Sequence, residues 1–348
     1  MKNKITFKIF NELDVDLEQK LKTIDKNNIS HVFQQISFIK EYVKKNKLKF
    51  FFVAIYFEEK LSILIPLEIK KVFGVKILQY IGTKEFDYCS PITSNLDSHI
   101  DEKIFNETWK KILKSINEYD LIYFDKQPEK IQSFENPFVK YLKNTFLSKV
   151  YLIQLPNSNE EYIEKFSDKK FFNELQRTTK KLNQENSVKF RILENDDLIS
   201  VRNLIINKAD SLNKKKIKHN LDEKFINYFV ELKKRKKEIF NLSVLEINKE
   251  IIAANLGFVH QNTFYYYMPT IFSDKYRKYS PGKVLIYHLI QWCIKNKIKI
   301  FDFGLGDEDY KKYWSNHKIN LFRHFDHKGF KGLILLLLLK TCIFIKML

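Results

Sequence analysis

The segment from Asp302 to Lys311 (DFGLGDEDYK) holds four carboxylates, a tyrosine and a lysine around a Gly-Leu-Gly turn. Burial raises the pKa of a carboxyl group toward the range of a general base, whereas neighbouring lysines lower it. Asp302 lies between two phenylalanines at the end of an apolar run, and Glu308 lies in the loop that follows. Both are candidates for a base that takes a proton from a nucleophile. A solvated loop acid is the alternative interpretation for Asp309.

Tyrosines supply the complementary acid. Tyr310 belongs to the acidic segment, and Tyr266 is the middle residue of an upstream run of three tyrosines. A phenol that faces a cleft can protonate a leaving thiolate, and packing is the alternative for these side chains. Asp307, Lys311 and Trp314 are the predicted substrate-binding residues.

A second candidate site lies upstream, where Ser280-Pro281-Gly282-Lys283 has the form of a helix start. Serine is a common N-cap, and proline fits the first helical position. A helix N-terminus attracts phosphate groups because its backbone amides point outward. Arg277 and Lys283 add positive charge, so Arg277, Ser280, Gly282 and Lys283 are the predicted donor-binding residues. A plain helix cap is the alternative.

Histidines suggest no metal centre. His317, His324 and His327 have spacings that match no strong zinc signature, and His288 lies in an apolar run typical of a packed helix. We therefore expect no metal. The sequence also lacks a Walker phosphate loop, a dinucleotide-binding glycine motif and a nucleophile elbow.

One order of elements occurs twice. Three strand-like runs, an apolar helix and a further strand are predicted in each half, which indicates an α/β fold with mixed, mainly antiparallel sheets flanked by helices. The runs are 49–57, 61–70, 75–81, 100–117 and 120–125 in the first half, and 241–247, 251–259, 263–268, 281–295 and 298–303 in the second. We predict an N-terminal domain at 1–150, a C-terminal domain at 151–328 and an apolar tail at 329–348.

The composition favours a cytoplasmic protein with a diffuse basic surface. The formal charge is +19, but all except six of the 61 basic residues are lysine and they are spread along the chain. No nucleic-acid-binding signature accompanies this charge, so nucleic acid is not the expected partner. The three cysteines are far apart, which suits a reducing compartment. The first residues show no secretory signal pattern.

The tail from Gly332 to Leu348 is strongly apolar but shorter than the roughly 20 residues needed to span a bilayer. Two interpretations stay open: a terminal helix packed on the protein, or peripheral contact with the inner face of the membrane.

The stretch from Arg277 to Lys311 resembles the GNAT acyltransferase superfamily, in particular its CelD-like branch linked to polysaccharide biosynthesis, which is related to FemAB-like ligases. The segment Arg277-Lys278-Tyr279-Ser280-Pro281-Gly282 is similar to the GNAT donor loop, with serine in place of its first glycine. The apolar helix, Asp302-Phe303-Gly304 and Tyr310-Lys311 extend the similarity. The detailed resemblance covers about 169–314.

This resemblance implies tandem GNAT-like domains and transfer of an acyl group from acetyl-CoA or another acyl-CoA to an amine or hydroxyl. The expected acceptor is a sugar or a cell-envelope precursor, and the first domain is expected to be structural or acceptor-binding. Two alternatives remain: a FemAB-like peptide ligase that uses aminoacyl-tRNA, and a non-catalytic component of a polysaccharide assembly complex.

Overall fold

The computed structural model describes residues 5–347 except 13, 27, 95–100, 133, 166–167, 186 and 194–197. The chain divides into two compact units. The first includes residues up to Ser148 and from Ile319 onward, and the second is Lys149–Lys318. Within each unit the strands pair mainly antiparallel, with one parallel pair, and helices flank them.

The N-terminal part of the first unit ends on a long strand that continues into the second unit. Its elements in chain order are β1 (Ile5–Phe10), α1 (Val15–Lys26), β2 (Asn28–Ile29), α2 (Ile36–Asn46), β3 (Phe50–Phe57), β4 (Lys60–Val72), β5 (Val75–Tyr80), β6 (Ile92–Ser94), α3 (Glu102–Ile116), β7 (Leu121–Pro128), β8 (Lys130–Ile131), β9 (Phe134–Glu135), α4 (Pro137–Tyr141) and β10 (Asn144–Gln154).

The second unit contains the acidic loop and the predicted helix start, and the chain then returns to the first unit. Its elements are α5 (Asn159–Lys165), α6 (Lys169–Glu185), β11 (Val188–Ile192), α7 (Leu198–Lys214), α8 (Glu223–Arg235), β12 (Phe240–Ile247), β13 (Glu250–His260), β14 (Thr263–Ile271), α9 (Pro281–Lys295), β15 (Ile300–Asp302) and α10 (Asp309–Trp314). The last two elements, β16 (His317–His327) and α11 (Gly329–Met347), belong mainly to the first unit.

In the first unit the strand order is β1-β3-β4-β5-β7-β16. The strands β5 and β7 pair in parallel. Their other neighbours, β4 and β16, pair with them antiparallel. A parallel pair needs a crossover, which α3 provides. Asp101 caps α3 by accepting a hydrogen bond from the Ile104 amide, and one face of the helix buries Phe105, Trp109, Ile112 and Ile116.

In the second unit, strands β11 to β14 form an antiparallel run, and β15 then joins β14 in parallel. The crossover is α9, which is apolar on most of its surface because it packs in the core of the unit. The repeated order of strands and helix predicted from the sequence is therefore present in both units.

Several elements differ from the predictions. The sequence at 127–149, with Pro128 and Pro137, predicts an irregular segment, but the structure has β8, β9, α4 and the start of β10 there. The strands β1 and β16 were not predicted. Both depend on pairing with distant strands, β3 and β7, and local hydrophobic periodicity does not report such pairing. The sequence at 160–186, rich in Lys, Glu and Gln, predicts a helix with Phe166 among its apolar positions. The structure has α5 and α6 there, and Phe166 lies outside the described residues.

The terminal helix α11 packs on the first unit. Leu336 is buried against Ile77 and Leu121, and Leu335 and Leu339 pack beside it. In the part of the chain that the structure describes, none of the helices combines the length and the apolar content needed to cross a membrane.

Candidate active site

The parallel strands β14 and β15 separate beside the start of α9. Their pairing covers Thr263 with Ile300, Phe264 with Phe301 and Tyr265 with Asp302. The strand β15 ends at Asp302, whereas β14 continues to Ile271. The remaining edge of β14 is therefore not covered by β15, and a cleft forms there.

This cleft has a volume of about 450 Å³. Its walls come from α7, β13, β14, the start of α9 with the residues just before it, and the acidic loop. The lining includes Lys208, Ala254, Tyr266, Pro269, Thr270, Ile271, Arg277, Ser280, Pro281, Gly282, Lys283, Leu285, Ile286, Glu308 and Tyr310. Seven residues predicted from the sequence thus meet in one place: the four donor-binding residues, Tyr266, Glu308 and Tyr310.

The start of α9 agrees with the sequence in position but not in the role of its serine. Pro281 occupies the first turn, as predicted, and Ser280 is the N-cap residue. The predicted capping by the Ser280 hydroxyl is wrong, because this residue has a left-handed backbone (φ 48°) and its side chain makes no capping hydrogen bond. Its carbonyl instead accepts from the amides of Lys283 and Val284 at 2.9 and 3.2 Å.

Gly282 leaves the cleft open at this helix start. A Cβ atom at this position would meet only the Ile271 Cδ1 atom, at 3.3 Å. Pro281 has no N–H, and the amides of Lys283 and Val284 bond to the Ser280 carbonyl. Among the described residues, the Gly282 amide is therefore left as the free donor of the first turn. A side chain here would project into the cleft rather than into the core.

Two cations stand at this end of the cleft. Lys283 places its ammonium 5.0 Å from the centre of the Phe171 ring, and Arg277 pairs with Asp274 on the surface. Positive charge at a helix N-terminus strengthens its attraction for an anion. This end of the cleft is suited to a phosphate or diphosphate group.

A buried lysine holds the acidic loop in place through hydrogen bonds to its backbone. Lys311 donates from Nζ to the carbonyls of Gly304, Leu305 and Gly306 at 3.4, 2.9 and 3.3 Å. The same ammonium lies 2.8 Å from Glu308 Oε2. Gly306 has φ 120°, and a Cβ there would overlap the Glu308 carboxylate. The loop thus fixes Glu308 at the cleft.

Asp302 is not among the cleft-lining residues. It is buried at the end of β15, and its Oδ1 accepts a hydrogen bond from the Gly304 amide at 2.7 Å. That bond stabilises the turn that leads into the acidic loop. The role of Asp302 as a base remains a prediction. In the structure its carboxylate contacts the backbone of the turn.

The predicted substrate-binding residues also lie outside the cleft lining. Asp307 accepts from the Tyr151 hydroxyl at 2.7 Å, and this hydrogen bond, together with Lys312, holds the pKa of Asp307 below its ordinary value. Trp314 is buried with its ring edge-on to Phe171 at 5.1 Å. With Lys311, these residues support the loop that carries Glu308.

The two tyrosines of the cleft can act as acids. Burial raises the pKa of Tyr266 well above its usual value of 10. Burial, followed by the nearby Glu308 carboxylate, also raises the pKa of Tyr310. Both phenols are protonated at neutral pH, so they can donate a proton but cannot accept one.

Lys208 and Thr270 complete the cleft and were not predicted. Lys208 reaches from α7 and donates to the Pro269 carbonyl at 2.8 Å, and burial lowers its pKa, with Lys215 adding to the effect. Thr270 is buried, and among the described residues its hydroxyl has no hydrogen-bond partner. Neither residue belongs to a recognisable motif, because one is a lysine in a helix and the other a threonine in a strand.

In the first unit, buried residues follow the strand β5. After β5, the side chains of Phe86, Tyr88 and Cys89 are fully buried, and the Cys89 amide donates to the carbonyl of Lys126 on β7 at 3.1 Å. The strands β5 and β7 are parallel, as are β14 and β15. The described residues that follow β5 therefore pack beside β7 and bury their side chains.

Comparison with known proteins agrees with this geometry. Residues 169–312 match the family model of the acetyltransferase (GNAT) domain. The matched residues include every residue that lines the cleft. No curated protein matches the chain in sequence.

Solved structures resemble nearly the whole chain. FemX is similar at a TM-score of 0.58 and 11% identity, over 90% of this chain and 96% of that one. The C-terminal domain of a putative lysylphosphatidylglycerol synthetase from Agrobacterium fabrum is similar at 0.56 and 11%, over 92% and 95%. A tandem GNAT protein from the clavulanic acid biosynthesis pathway is similar at 0.51 and 6%, over 94% and 99%. At these identities the likeness concerns the fold alone, and it confirms the predicted fold class. The finer assignment to the CelD-like branch stays a prediction.

Proposed function

We propose that the protein is an acyltransferase that moves an acyl group from acetyl-CoA or another acyl-CoA to an amine or hydroxyl. One observation carries this proposal: the start of α9, the uncovered edge of β14 and the side chains of Glu308 and Tyr310 line the same cleft. An enzyme that uses a CoA thioester must provide a site for the phosphates of CoA, a channel for the chain that links them to the thioester, and groups that transfer protons. The match of residues 169–312 to the GNAT domain supports the same class of reaction.

The donor's diphosphate binds at the start of α9, where the Gly282 amide, Lys283 and Arg277 provide a donor and two charges. Its arm follows the edge of β14 between Tyr266 and Ile271. The backbone groups of an uncovered strand edge can hydrogen-bond an extended ligand, and a strand amide can stabilise the oxyanion of the reacting carbonyl.

The chemical step needs one base and one acid. The acceptor's lone pair forms a bond to the thioester carbonyl carbon, and Glu308 takes the proton that the nucleophile loses. The carbon–sulfur bond breaks, and the leaving thiolate takes a proton from Tyr310 or Tyr266. Glu308 is 57% exposed in its side chain and therefore accessible to an acceptor that enters the cleft.

The proposed acceptor is a sugar or a cell-envelope precursor on the cytoplasmic side of the membrane, as the resemblance to the CelD-like branch implies. Because the residues that follow β5 bury their side chains, the first unit is proposed to serve a structural or acceptor-binding role rather than a second donor site.

An aminoacyl-tRNA donor is the second candidate. The resemblance of the sequence to FemAB-like ligases favours it, and so does the net charge of +19, which would attract a nucleic acid. The two donors differ in size and charge. Their binding can therefore be separated by its dependence on salt.

Calorimetry with CoA and with bulk tRNA tests both candidates. We expect CoA to bind the wild-type chain and Gly282→Leu to weaken that binding at least tenfold, because the leucine side chain would enter the cleft. Gly74→Ala is the control, since a Cβ at Gly74 meets nothing within 4 Å and lies outside the cleft. Unchanged CoA binding in Gly282→Leu would refute the donor placement. Binding of tRNA with a steep salt dependence, and none of CoA, would establish the second candidate.

A further inference from the structure

The outer face of α11 is an apolar stripe that the fold does not cover. Phe330, Ile334, Leu337 and Leu338 are 75%, 44%, 55% and 56% exposed. Successive residues of a helix are rotated by about 100°, which places these positions on one side. Single exposed apolar residues are normal, but a continuous stripe indicates an interaction site.

The opposite face of α11 already holds the helix on its unit. Leu336 is buried against β5 and β7, with Leu335 and Leu339 beside it. Gly332 lies so close to the Asp120 carbonyl that a Cβ atom there would overlap it. The helix is thus docked through one face, and packing within its unit does not account for the apolar residues on the other.

A second apolar group projects next to the helix. Phe73, in the turn between β4 and β5, is 99% exposed. Its neighbours Val72 and Val75 pack against the same cluster as Leu335, Leu336 and Leu339. The tip of the turn is therefore adjacent to α11 within the first unit.

Exposed lysines surround this surface. By helix geometry Lys331 and Lys340 lie on opposite sides of the stripe, and Lys70 and Lys71 lie at the base of the turn. From Lys328 to the end the sequence contains no acidic residue. Long lysine side chains beside an apolar stripe can extend to phosphate groups while the apolar residues enter the acyl region.

We propose that Phe73 and the stripe of Phe330, Ile334, Leu337 and Leu338, here called the apolar surface, dock the protein on an anionic bilayer. The helix lies in the plane of the headgroups, and Phe73 enters beside it. Anionic lipid is the occupant that complements the lysines, since two such basic surfaces would repel each other in a dimer. This binding is independent of the acyl donor.

Flotation of the full chain with vesicles tests the proposal. We expect the wild type to float with vesicles of phosphatidylcholine and phosphatidylglycerol at a 3:1 ratio (about one anionic lipid in four) and weakly with phosphatidylcholine alone, with less binding at high salt. The double variant Leu337→Ser, Leu338→Ser should reduce the partition coefficient at least tenfold. Phe73→Ser alone should reduce it about threefold or more.

Ile217→Ser is the matched control, because Ile217 is similarly exposed but lies in the second unit. It should float as the wild type does, and unchanged circular dichroism melting will show that each variant folds. Equal flotation of the double variant and wild type would overturn the proposal, as would no flotation of the wild type. A concentration-dependent dimer by light scattering, abolished by the double variant and without flotation, would assign the surface to a second copy.

Discussion

Lys311 Nζ lies 2.8 Å from Glu308 Oε2, and the two side chains have opposite environments: Lys311 is 3% exposed and Glu308 57%. The buried ammonium fixes three loop carbonyls and leaves the carboxylate at the cleft. A flexible loop would lose entropy each time it placed Glu308 against a substrate. Lys311 is thus a positioning residue, whereas Glu308 is the proposed base.

Lys311→Met should destabilise the protein and weaken catalysis. It removes the donor of three loop carbonyls, and leaving buried acceptors unpaired costs about 1–3 kcal/mol. Thermal or urea unfolding measures this loss. Lys312→Met is the control, because Lys312 pairs with Asp309 on the surface, where ion pairs contribute little. Equal stabilities of the two variants would contradict the positioning role.

Gly306→Ala should reduce transfer without weakening donor binding. The new methyl group would displace the Glu308 carboxylate, and φ 120° is unfavourable for alanine. We expect at least a tenfold fall in the rate of thiol release from acetyl-CoA in the presence of an acceptor, with CoA affinity within about twofold. Gly74→Ala has a similar backbone penalty but no clash, so it should retain the wild-type rate. A wild-type rate for Gly306→Ala would show that the position of Glu308 does not matter for the chemical step.

Lys208 should react faster with acetic anhydride at pH 8 than Lys312, although it is less exposed. Burial lowers the pKa of Lys208, which increases its neutral amine fraction, while hydrogen bonding to Asp309 raises the pKa of Lys312. Mass spectrometry of partly acetylated protein measures both sites. Added CoA should protect Lys208 and leave Lys312 unchanged. Slower labelling of Lys208 than of Lys312, or no protection, would count against this prediction.

Stability should fall as the pH rises through neutrality, in part because of Glu68. Burial raises the pKa of Glu68 to about 7 from 4.5. Between these values the native state binds more protons than the unfolded state, so this contribution is fully present below about pH 4.5 and is lost as the pH rises through about 7. The largest contribution that this pKa difference can make to the free energy of unfolding is about 3 kcal/mol.

Glu68→Gln should therefore melt with a smaller difference between pH 5 and pH 8 than the wild type. Glutamine keeps the oxygen that accepts from Gln79 Nε2, at 2.6 Å in the wild type, and has no charge to bury. Glu59→Gln, in an exposed turn, is the control and should keep the wild-type difference. Parallel melting profiles for Glu68→Gln and wild type would show that this carboxyl is not the cause.

Much of the site could be found in the sequence because its signals are local. The order Ser280-Pro281-Gly282 predicts a helix start, and glycines beside Glu308 and Tyr310 predict a turn. Alternating apolar runs predicted the repeated order of strands and helix. Each of these signals depends on residues within a few positions of one another, so no knowledge of distant contacts was needed.

Other features were decided only by the tertiary structure. The Ser280 backbone is left-handed, so its hydroxyl does not cap α9, and Asp302 accepts from the Gly304 amide instead of lining the cleft. Lys208 joins the cleft from a helix about 60 residues before Tyr266, and its position depends on how α7 packs across β14. The sequence by itself determined which residues start helices and turns. Only the folded chain decided which of their side chains meet, because strand pairing, burial and side-chain direction depend on residues far apart in the sequence.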